Sequence, residues 1–203
     1  MELNKNNTLI ILDWDDTLFP TSWVNKHNID IINMDKTIYV KFFEKIDVSL
    51  SKLFRTLNKL GDVLIVTNAL LNWINISSKI LPVTNEIFKN NQHMKFVSAR
   101  GEYSSVTNNQ NEWKKFAFIN ELKKRSHRKN INNIISIGDA EYEYNALINL
   151  HNGYHSRLLK AIKFVRYPDN NSIHEQINIL HTAIRNICLH KGNLDLKLRH
   201  ISK

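Results

Sequence analysis

The chain has few of the features that mark secreted or membrane proteins. Cys188 is the only cysteine, so no intramolecular disulfide can form, which is usual inside cells. No apolar run approaches the roughly 18 residues of a membrane-spanning helix. Residues 1–7 are polar and lack the apolar core of a signal peptide. The sequence therefore predicts an intracellular, cytoplasmic protein that makes no contact with a membrane.

Repeats, linkers and histidine pairs with metal-ligand spacing are also missing. The nine histidines, His27, His93, His127 and His151 among them, are scattered and predict surface or core positions. Apolar residues make up 42% of the 203 residues, which is ordinary for a globular protein with a core. We therefore expect one domain over residues 1–203.

The formal net charge is +9, which is typical of proteins that bind nucleic acid or other acidic partners. Asn, Lys and Ile share A/T-rich codons, so a skewed genome would also produce this composition. The basic residues are dense only at residues 123–129, Lys-Lys-Arg-Ser-His-Arg-Lys. This cluster has two interpretations, a polyanion contact or a solvated loop.

The most informative stretch is an apolar run, residues 9–12, that leads directly into Asp-Trp-Asp-Asp-Thr at residues 13–17. The run predicts a buried strand. Asp13 and Asp15 lie two residues apart, so in an extended chain their carboxylates share one side. Such carboxylates need a cation, and Mg²⁺ prefers oxygen ligands. Alternatives are the metal site of a sugar-nucleotide transferase or a helix cap.

Strands and helices alternate along the rest of the chain, which predicts parallel, right-handed βαβ units. The predicted fold class is therefore α/β: a Rossmann-like three-layer sandwich with a mostly parallel, five-stranded sheet. The helices are expected at residues 36–60, 69–79, from 112 onward, around 143–150 with Glu143 in the opening turn, and at 172–190. The other strands are expected at residues 63–66, 94–98, 134–137 and 161–165.

In three other segments the apolar residues do not recur at the regular spacing of a helix or a strand. Residues 18–35 predict a flap beside the site, where Trp14 and Trp23 either line a pocket or pack beneath the loop. Residues 102–111 predict a loop, with Asn111 as the cap of the next helix. Residues 193–203 predict a loosely held tail.

Polar groups follow the other apolar strands where each of them ends. Thr67 and Asn68 follow the second strand, and Gly-Asp at residues 138–139 follows the fourth, with Glu143 four residues later. Parallel strands place these groups at the same edge of the sheet as Asp13. Lys114 is expected in the first turn of a helix, where the helix dipole disfavours a cation. An anion nearby would explain this position; a surface lysine is the alternative.

This ordered set of motifs resembles the haloacid dehalogenase-like superfamily of phosphohydrolases and phosphotransferases over nearly the whole chain. Residues 13–17 are similar to the first motif of that family, Asp-x-Asp-x-Thr, and Thr67 is similar to the second. Lys114 matches the third, with Lys115 as the competing candidate. Asp139 with Glu143 matches the fourth.

The resemblance implies an enzyme, a Mg²⁺-dependent phosphatase that hydrolyses a phosphate monoester. Asp13 would attack phosphorus to form an aspartyl-phosphate, and Asp15 would act as general acid and base. The phosphate would be bound by Thr67, Asn68 and Lys114. The metal would be held by Asp13, Asp139 and the main-chain carbonyl of Asp15, with Glu143 in its outer shell.

The chain departs from the family at Asp16, where the usual residue is small. Asp16 either faces away, binds a water or favours a cationic substrate. Neither residues 16–62 nor 67–114 leave room for a cap domain, so the site is expected to be open to phosphoproteins, nucleic-acid ends or small phosphate esters. Two other functions stay open: a non-catalytic binding protein of the same fold, and a nucleic-acid end-processing phosphatase guided by the 123–129 cluster.

Overall fold

The computed structural model describes residues 3–33, 36–91, 94–151 and 157–199, and only the backbone of residues 36–38. Its centre is a six-stranded sheet in the order β3-β2-β1-β4-β5-β6 in which every pair is parallel. The strands are β1 Thr8–Leu12, β2 Asp62–Thr67, β3 Lys95–Ser98, β4 Asn133–Gly138, β5 Leu158–Lys163 and β6 Leu194–Lys197.

Helices cover both faces of this sheet. One face packs against a core that includes Phe54 and Ile177, and the other against a core that includes Phe118 and Leu147. The predicted α/β, Rossmann-like three-layer sandwich is thus confirmed, with six strands rather than five. The helices are α1 Thr21–Lys26, α2 Lys36–Leu60, α3 Leu71–Ser77, α4 Pro82–Asn90, α5 Ala99–Tyr103, α6 Gln110–Ser126, α7 Glu141–Asn149 and α8 Asn170–Leu189.

The order of the strands determines where a ligand can bind. The chain moves outward from β1 to β2 and β3, then returns to β4 on the other side of β1. In open α/β sheets, the crevice at such a switch point lies beyond the carboxyl ends of the strands. Leu12 pairs with Ile137, and the Asp13 N–H donates to the Ile137 carbonyl at 2.9 Å. Asp13 therefore lies at the mouth of this crevice.

The missed strand is β6, which falls in the segment expected to be a loose tail. It pairs with β5 from Lys160↔Leu194 to Lys163↔Lys197 and forms the sheet edge. Its four residues, Leu-Asp-Leu-Lys, are mostly exposed, so they lack the apolar run that marks the other strands. β5 itself begins and ends earlier than predicted, at Leu158–Lys163.

Two helix boundaries also differ from the prediction. Pro82 does not close a helical region but begins α4, where a proline needs no N–H partner. The Asp47 carboxylate of α2 accepts the main-chain N–H groups of Val83 and Thr84 at 2.9 and 2.8 Å. A cap supplied from 36 residues away cannot be read from local sequence. α6 starts at Gln110, with Asn109 rather than Asn111 as its cap.

The predicted flap contains α1, and residues 34–35 of it lie outside the described part of the chain, as does His93. Trp14 is fully buried, stacks on Phe19 with ring centroids 5.9 Å apart, and donates through Nε1 to Ser77 at 2.9 Å. Trp23 packs edge-on against Phe42 at 4.9 Å. Of the two interpretations, packing beneath the loop is therefore the one that the structure supports.

Among the residues described, no helix combines the length and the apolar character that a membrane crossing requires.

Candidate active site

At the carboxyl edge of the sheet, two of the predicted site residues contact the ammonium group of Lys114, and Asp139 lies close enough for Asp13 and Lys114 to influence its pKa. Asp13 follows β1, Asp139 follows β4, Lys114 projects from α6 and Glu143 from α7. Lys114 Nζ lies 2.5 Å from Asp13 Oδ1 and also contacts Glu143 Oε1. These groups come from segments 101 and 29 residues apart along the chain. The structure thus brings Asp13, Lys114 and Glu143 into contact at one edge of the sheet.

Lys114 rather than Lys115 is the lysine of this cluster. Its side chain is 1% exposed, and its Nζ lies 5.0 Å from the centroid of the Tyr142 ring. Because α6 begins at Gln110, Lys114 is two residues further into the helix than predicted. The anions that the unfavourable position suggested are Asp13 and Glu143. Burial opposes the charged amine, but the two carboxylates outweigh it and hold the pKa of Lys114 above its usual range.

The carboxyl groups outnumber the cation that contacts them. Burial raises the pKa of Asp13, and Lys114 only partly opposes this effect. Burial and the nearby charge of Asp13 raise the pKa of Asp139 to about 7. In the described part of the chain, no side chain donates a hydrogen bond to Asp139, which is 6% exposed. The site therefore holds more buried carboxyl groups than the Lys114 ammonium can neutralise, and burial favours their protonated forms in the absence of another cation.

Asp15 lies beside this cluster and is bound by neutral donors. Its Oδ1 accepts from Thr21 Oγ1 at 2.6 Å and from Trp73 Nε1 at 2.7 Å, and its Oδ2 accepts from Thr67 Oγ1 at 2.8 Å. These three donors fix the orientation of the carboxylate. Among the described residues, the Asp15 carboxylate has no lysine or arginine partner, so Lys114 does not neutralise it.

The two residues predicted to bind phosphate after β2 occupy different environments. Thr67 Oγ1 donates to Asp15 and accepts the Ala69 N–H at 2.8 Å. Asn68 Oδ1 is buried without a hydrogen-bond partner among the described residues. Both lie at the same sheet edge as Asp13, because Leu12 pairs with Ile65, two residues before Thr67.

Asp16 has a local structural role. Its backbone is in the left-handed region with φ 56°, which explains why a small residue or an Asp is tolerated here. Its carboxylate accepts the Ser22 N–H at 2.8 Å and the Ser22 hydroxyl, and so caps the start of α1. The Asp16 carboxylate is thus bound to the start of α1, but together with burial its charge also helps to raise the pKa of Asp139, so Asp16 lies close to the predicted metal ligands.

Gly138 allows Glu143 to reach Lys114. A Cβ at position 138 would overlap the Glu143 side chain. Glu143 Oε2 accepts the Ala140 N–H at 3.0 Å while Oε1 contacts Lys114. The Gly-Asp pair therefore serves two purposes, since the glycine makes room for one carboxylate and the next residue supplies another.

The donor set fits a magnesium ion that is bound through few protein side chains. No group of three or more His, Cys, Asp or Glu side chains is arranged as a metal site in the described ranges. The predicted set needs only two, Asp13 and Asp139, with the Asp15 carbonyl, because Mg²⁺ keeps several of its waters. The supporting observation is that Asp139 is buried, has a raised pKa and accepts no side-chain hydrogen bond from the described residues, since such a carboxyl is suited to a cation.

The basic 123–129 cluster lies at the opposite edge of the sheet. Lys129 Nζ bonds Asp62, the first residue of β2, at 2.8 Å. Lys124 and Arg125 contact Glu121, a residue that is 1% exposed. Although burial alone would raise it, hydrogen bonds from Lys95, Lys124 and Arg125 lower the pKa of Glu121 to about 2. The cluster therefore does not border the Asp13 site.

Three residues at the site were not predicted: Thr21, Trp73 and Tyr142. Thr21 and Trp73 bind Asp15, and Tyr142 lies against Lys114. Tyr142 is adjacent in sequence to Glu143, so the fourth motif could have indicated it. Trp73 carries no local signal, because a tryptophan in a short apolar helix ordinarily indicates core packing.

No family model, no curated protein and no solved structure matches this chain. The geometry described above is therefore the basis for assigning a function.

Proposed function

We propose that the protein is a Mg²⁺-dependent phosphatase of the haloacid dehalogenase-like type, which hydrolyses a phosphate monoester through an aspartyl-phosphate. The observation that carries this proposal is the contact of Lys114 with Asp13 and Glu143, beside Asp139, at the switch point of a parallel sheet. These residues belong to the first, third and fourth of the motifs described in the sequence, and their proximity supports the proposal.

Asp13 is placed to be the nucleophile. It stands at the end of β1 on a rigid buried strand, and its Oδ1 is held by Lys114 at 2.5 Å. Attack on phosphorus forms the Asp13–phosphate bond and breaks the bond to the leaving oxygen. Lys114 neutralises charge on Asp13 and on the incoming phosphate, which removes the main obstacle to the approach of two anions.

Asp15 is the group placed to transfer the proton. It is adjacent to the nucleophile but makes no contact with Lys114, so the two carboxylates have different environments. In the first step the protonated form of Asp15 gives its proton to the leaving oxygen. In the second step the resulting carboxylate takes a proton from water as the water oxygen bonds to phosphorus and the bond from Asp13 to phosphorus breaks. Thr67 donates to Asp15, so a phosphate can recruit its hydroxyl only if this bond is exchanged.

Magnesium, when bound, would supply further neutralisation of phosphate charge. Asp13, Asp139 and the Asp15 carbonyl would hold it, and Glu143 would orient Lys114 next to it. The alternative of a non-catalytic binding protein does not account for Asp15, whose three donors fix a carboxylate that binding alone does not need.

The experiment that tests this proposal is hydrolysis of a generic aryl phosphate by the purified protein. We expect turnover with millimolar Mg²⁺, loss of turnover in EDTA, and recovery when Mg²⁺ is restored. A panel of phosphopeptides, nucleotides, sugar phosphates and phosphorylated oligonucleotides then ranks the substrate classes. Equal rates with and without EDTA, or no turnover of any of these esters, would contradict the proposal.

A further inference from the structure

A second group of cations lies at the carboxyl edge of the sheet, on the side of Asp139. Lys163 ends β5, where its Cα pairs with Gly138 on one side and with Lys197 of β6 on the other. Arg166 follows three residues later. We call Lys163, Arg166, Tyr167 and Lys197 the β5–β6 rim.

The cations of this rim are near one another and near the site. Burial, Lys197 and Arg166 lower the pKa of Lys163, whereas Asp139 opposes this change. Lys163 is paired with Glu141, an exposed residue of α7. Arg166 and Lys197 make no ion pair within the described residues, and both are exposed. Two cations are thus available to an anionic ligand that reaches toward Asp139.

Tyr167 adds an aromatic surface to the rim. Its side chain is 69% exposed, and the Arg166 guanidinium carbon lies 5.4 Å from its ring centroid. Its backbone has φ 50°, a conformation that is rare for a bulky residue. Strain of this kind persists where the surrounding structure imposes it, and it is concentrated at functional sites.

The segment around Tyr167 is fixed on both sides. The N–H of buried Phe164 donates to the Gly138 carbonyl at 2.8 Å. The Val165 N–H donates to Gln176 Oε1 of α8 at 2.6 Å, and Pro168 is buried. The Arg166 and Tyr167 side chains are therefore exposed to solvent next to Gly138 and Asp139, and the Tyr167 ring does not pack into the core.

We propose that the β5–β6 rim binds single-stranded nucleic acid whose terminal phosphate enters the Asp13 site. An exposed ring stacks on bases regardless of sequence, and cations follow the phosphate backbone. The part of this inference that concerns hydrolysis of the terminal phosphate rests on the proposed phosphatase function. The inference differs from the earlier alternative, in which residues 123–129 bind the nucleic acid, because those residues lie at the far edge of the sheet.

The binding half is tested by fluorescence anisotropy with a labelled, unphosphorylated oligothymidine, which requires no catalysis. Tyr167→Asn removes the ring but keeps a residue that tolerates positive φ, and is expected to weaken binding roughly 10-fold. Tyr167→Phe is its matched control and should bind as the wild type does. Replacing Arg166 and Lys197 together by Gln should reduce the magnitude of the slope of log affinity against log salt by about 1.4, since each phosphate contact with a single strand contributes about 0.7.

A matched pair at the far edge, Lys123→Gln with Arg128→Gln, should leave oligonucleotide binding unchanged. All the rim variants should hydrolyse the aryl phosphate at the wild-type rate, while kcat/KM on a phosphorylated oligonucleotide falls with affinity. Wild-type binding by Tyr167→Asn, or an equal loss in the far-edge pair, overturns the inference. Equal rim dependence for a phosphopeptide also overturns it, in favour of a protein substrate. Failure to hydrolyse any ester, with rim-dependent binding intact, overturns the phosphatase alone.

Discussion

Asp13→Asn is expected to lower kcat on an aryl phosphate by at least ~10⁴-fold, because the amide replaces the attacking carboxylate. The amide nitrogen is a poor nucleophile, and it removes the charge that Lys114 holds at 2.5 Å. Binding of substrate should suffer less than turnover, since Lys114 remains in place. The measurement is steady-state hydrolysis at saturating Mg²⁺, with circular dichroism to establish that the variant is folded.

Asp62→Asn is the matched control for this change. Asp62 is also an ion-paired aspartate of the sheet, bonded to Lys129 at 2.8 Å, but it lies at the opposite edge. It should retain wild-type kcat. An Asp13→Asn variant as active as Asp62→Asn would remove Asp13 from the role of nucleophile and the aspartyl-phosphate with it.

Lys114→Met has the second largest expected effect, because it acts on both activity and stability. Loss of the ammonium that faces the transferred phosphate should lower kcat roughly 10³-fold. It also leaves Asp13 and Glu143 buried without a cation, and breaking a buried pair in this way costs about 3 kcal/mol or more of unfolding free energy. The loss should be larger at pH 8 than at pH 5.5, where the stranded carboxyls can bind protons.

Lys115→Met provides the comparison within the same helix. Lys115 is only partly buried, and no ion pair of it occurs in the described ranges. Urea unfolding and aryl phosphate hydrolysis of this variant should match those of the wild type. If instead Lys115→Met is inactive and Lys114→Met is not, the third motif has been assigned to the wrong residue.

The parts of the fold that could be predicted are those in which local pattern and burial agree. β1 and β4 are mainly apolar and are buried over their whole length, so the runs at 9–12 and 134–137 identified them. The stripe along α8 ends within two residues of its predicted limits, at Asn170–Leu189. Because parallel strands end at the same edge of a sheet, the position of the acidic residue after each of these strands could also be predicted.

The parts that could not be predicted depend on partners distant in sequence. β6 exists because β5 offers it an edge, and its own residues are mostly exposed. The start of α4 depends on Asp47, and the orientation of Asp15 depends on Trp73. These contacts cannot be predicted from a short window of sequence, because the distant partner determines the conformation and the local propensity does not.

Two residues that break local rules were the most informative about the site. Lys114 stands near the start of a helix, where its charge is disfavoured, and it proves to be neutralised by Asp13 and Glu143. Asp16 occupies a left-handed position and proves to cap α1. Lys114 belongs to the candidate site, whereas Asp16 stabilises the start of a helix. An unfavourable residue in the sequence therefore identifies a position of interest, but only its contacts show its role.

The central claim, a divalent cation between Asp13 and Asp139, is tested most directly by thermal unfolding with and without Mg²⁺ at two pH values. The pKa of Asp139 is about 7, above its unfolded value of 3.8, so the folded state binds more protons between these values. Without metal, stability should therefore fall as pH rises from 4 to 7. Mg²⁺ binds the ionised carboxylates, so the stabilisation that Mg²⁺ provides should increase as pH rises.

At pH 8 and a Mg²⁺ concentration 100-fold above its dissociation constant, we expect Tm to rise by roughly 5–10 °C. At pH 5 the rise should be close to zero, and Asp139→Asn should remove it at both pH values. A shift that is the same in Asp139→Asn and wild type, or no shift in the wild type at pH 8, would contradict the account.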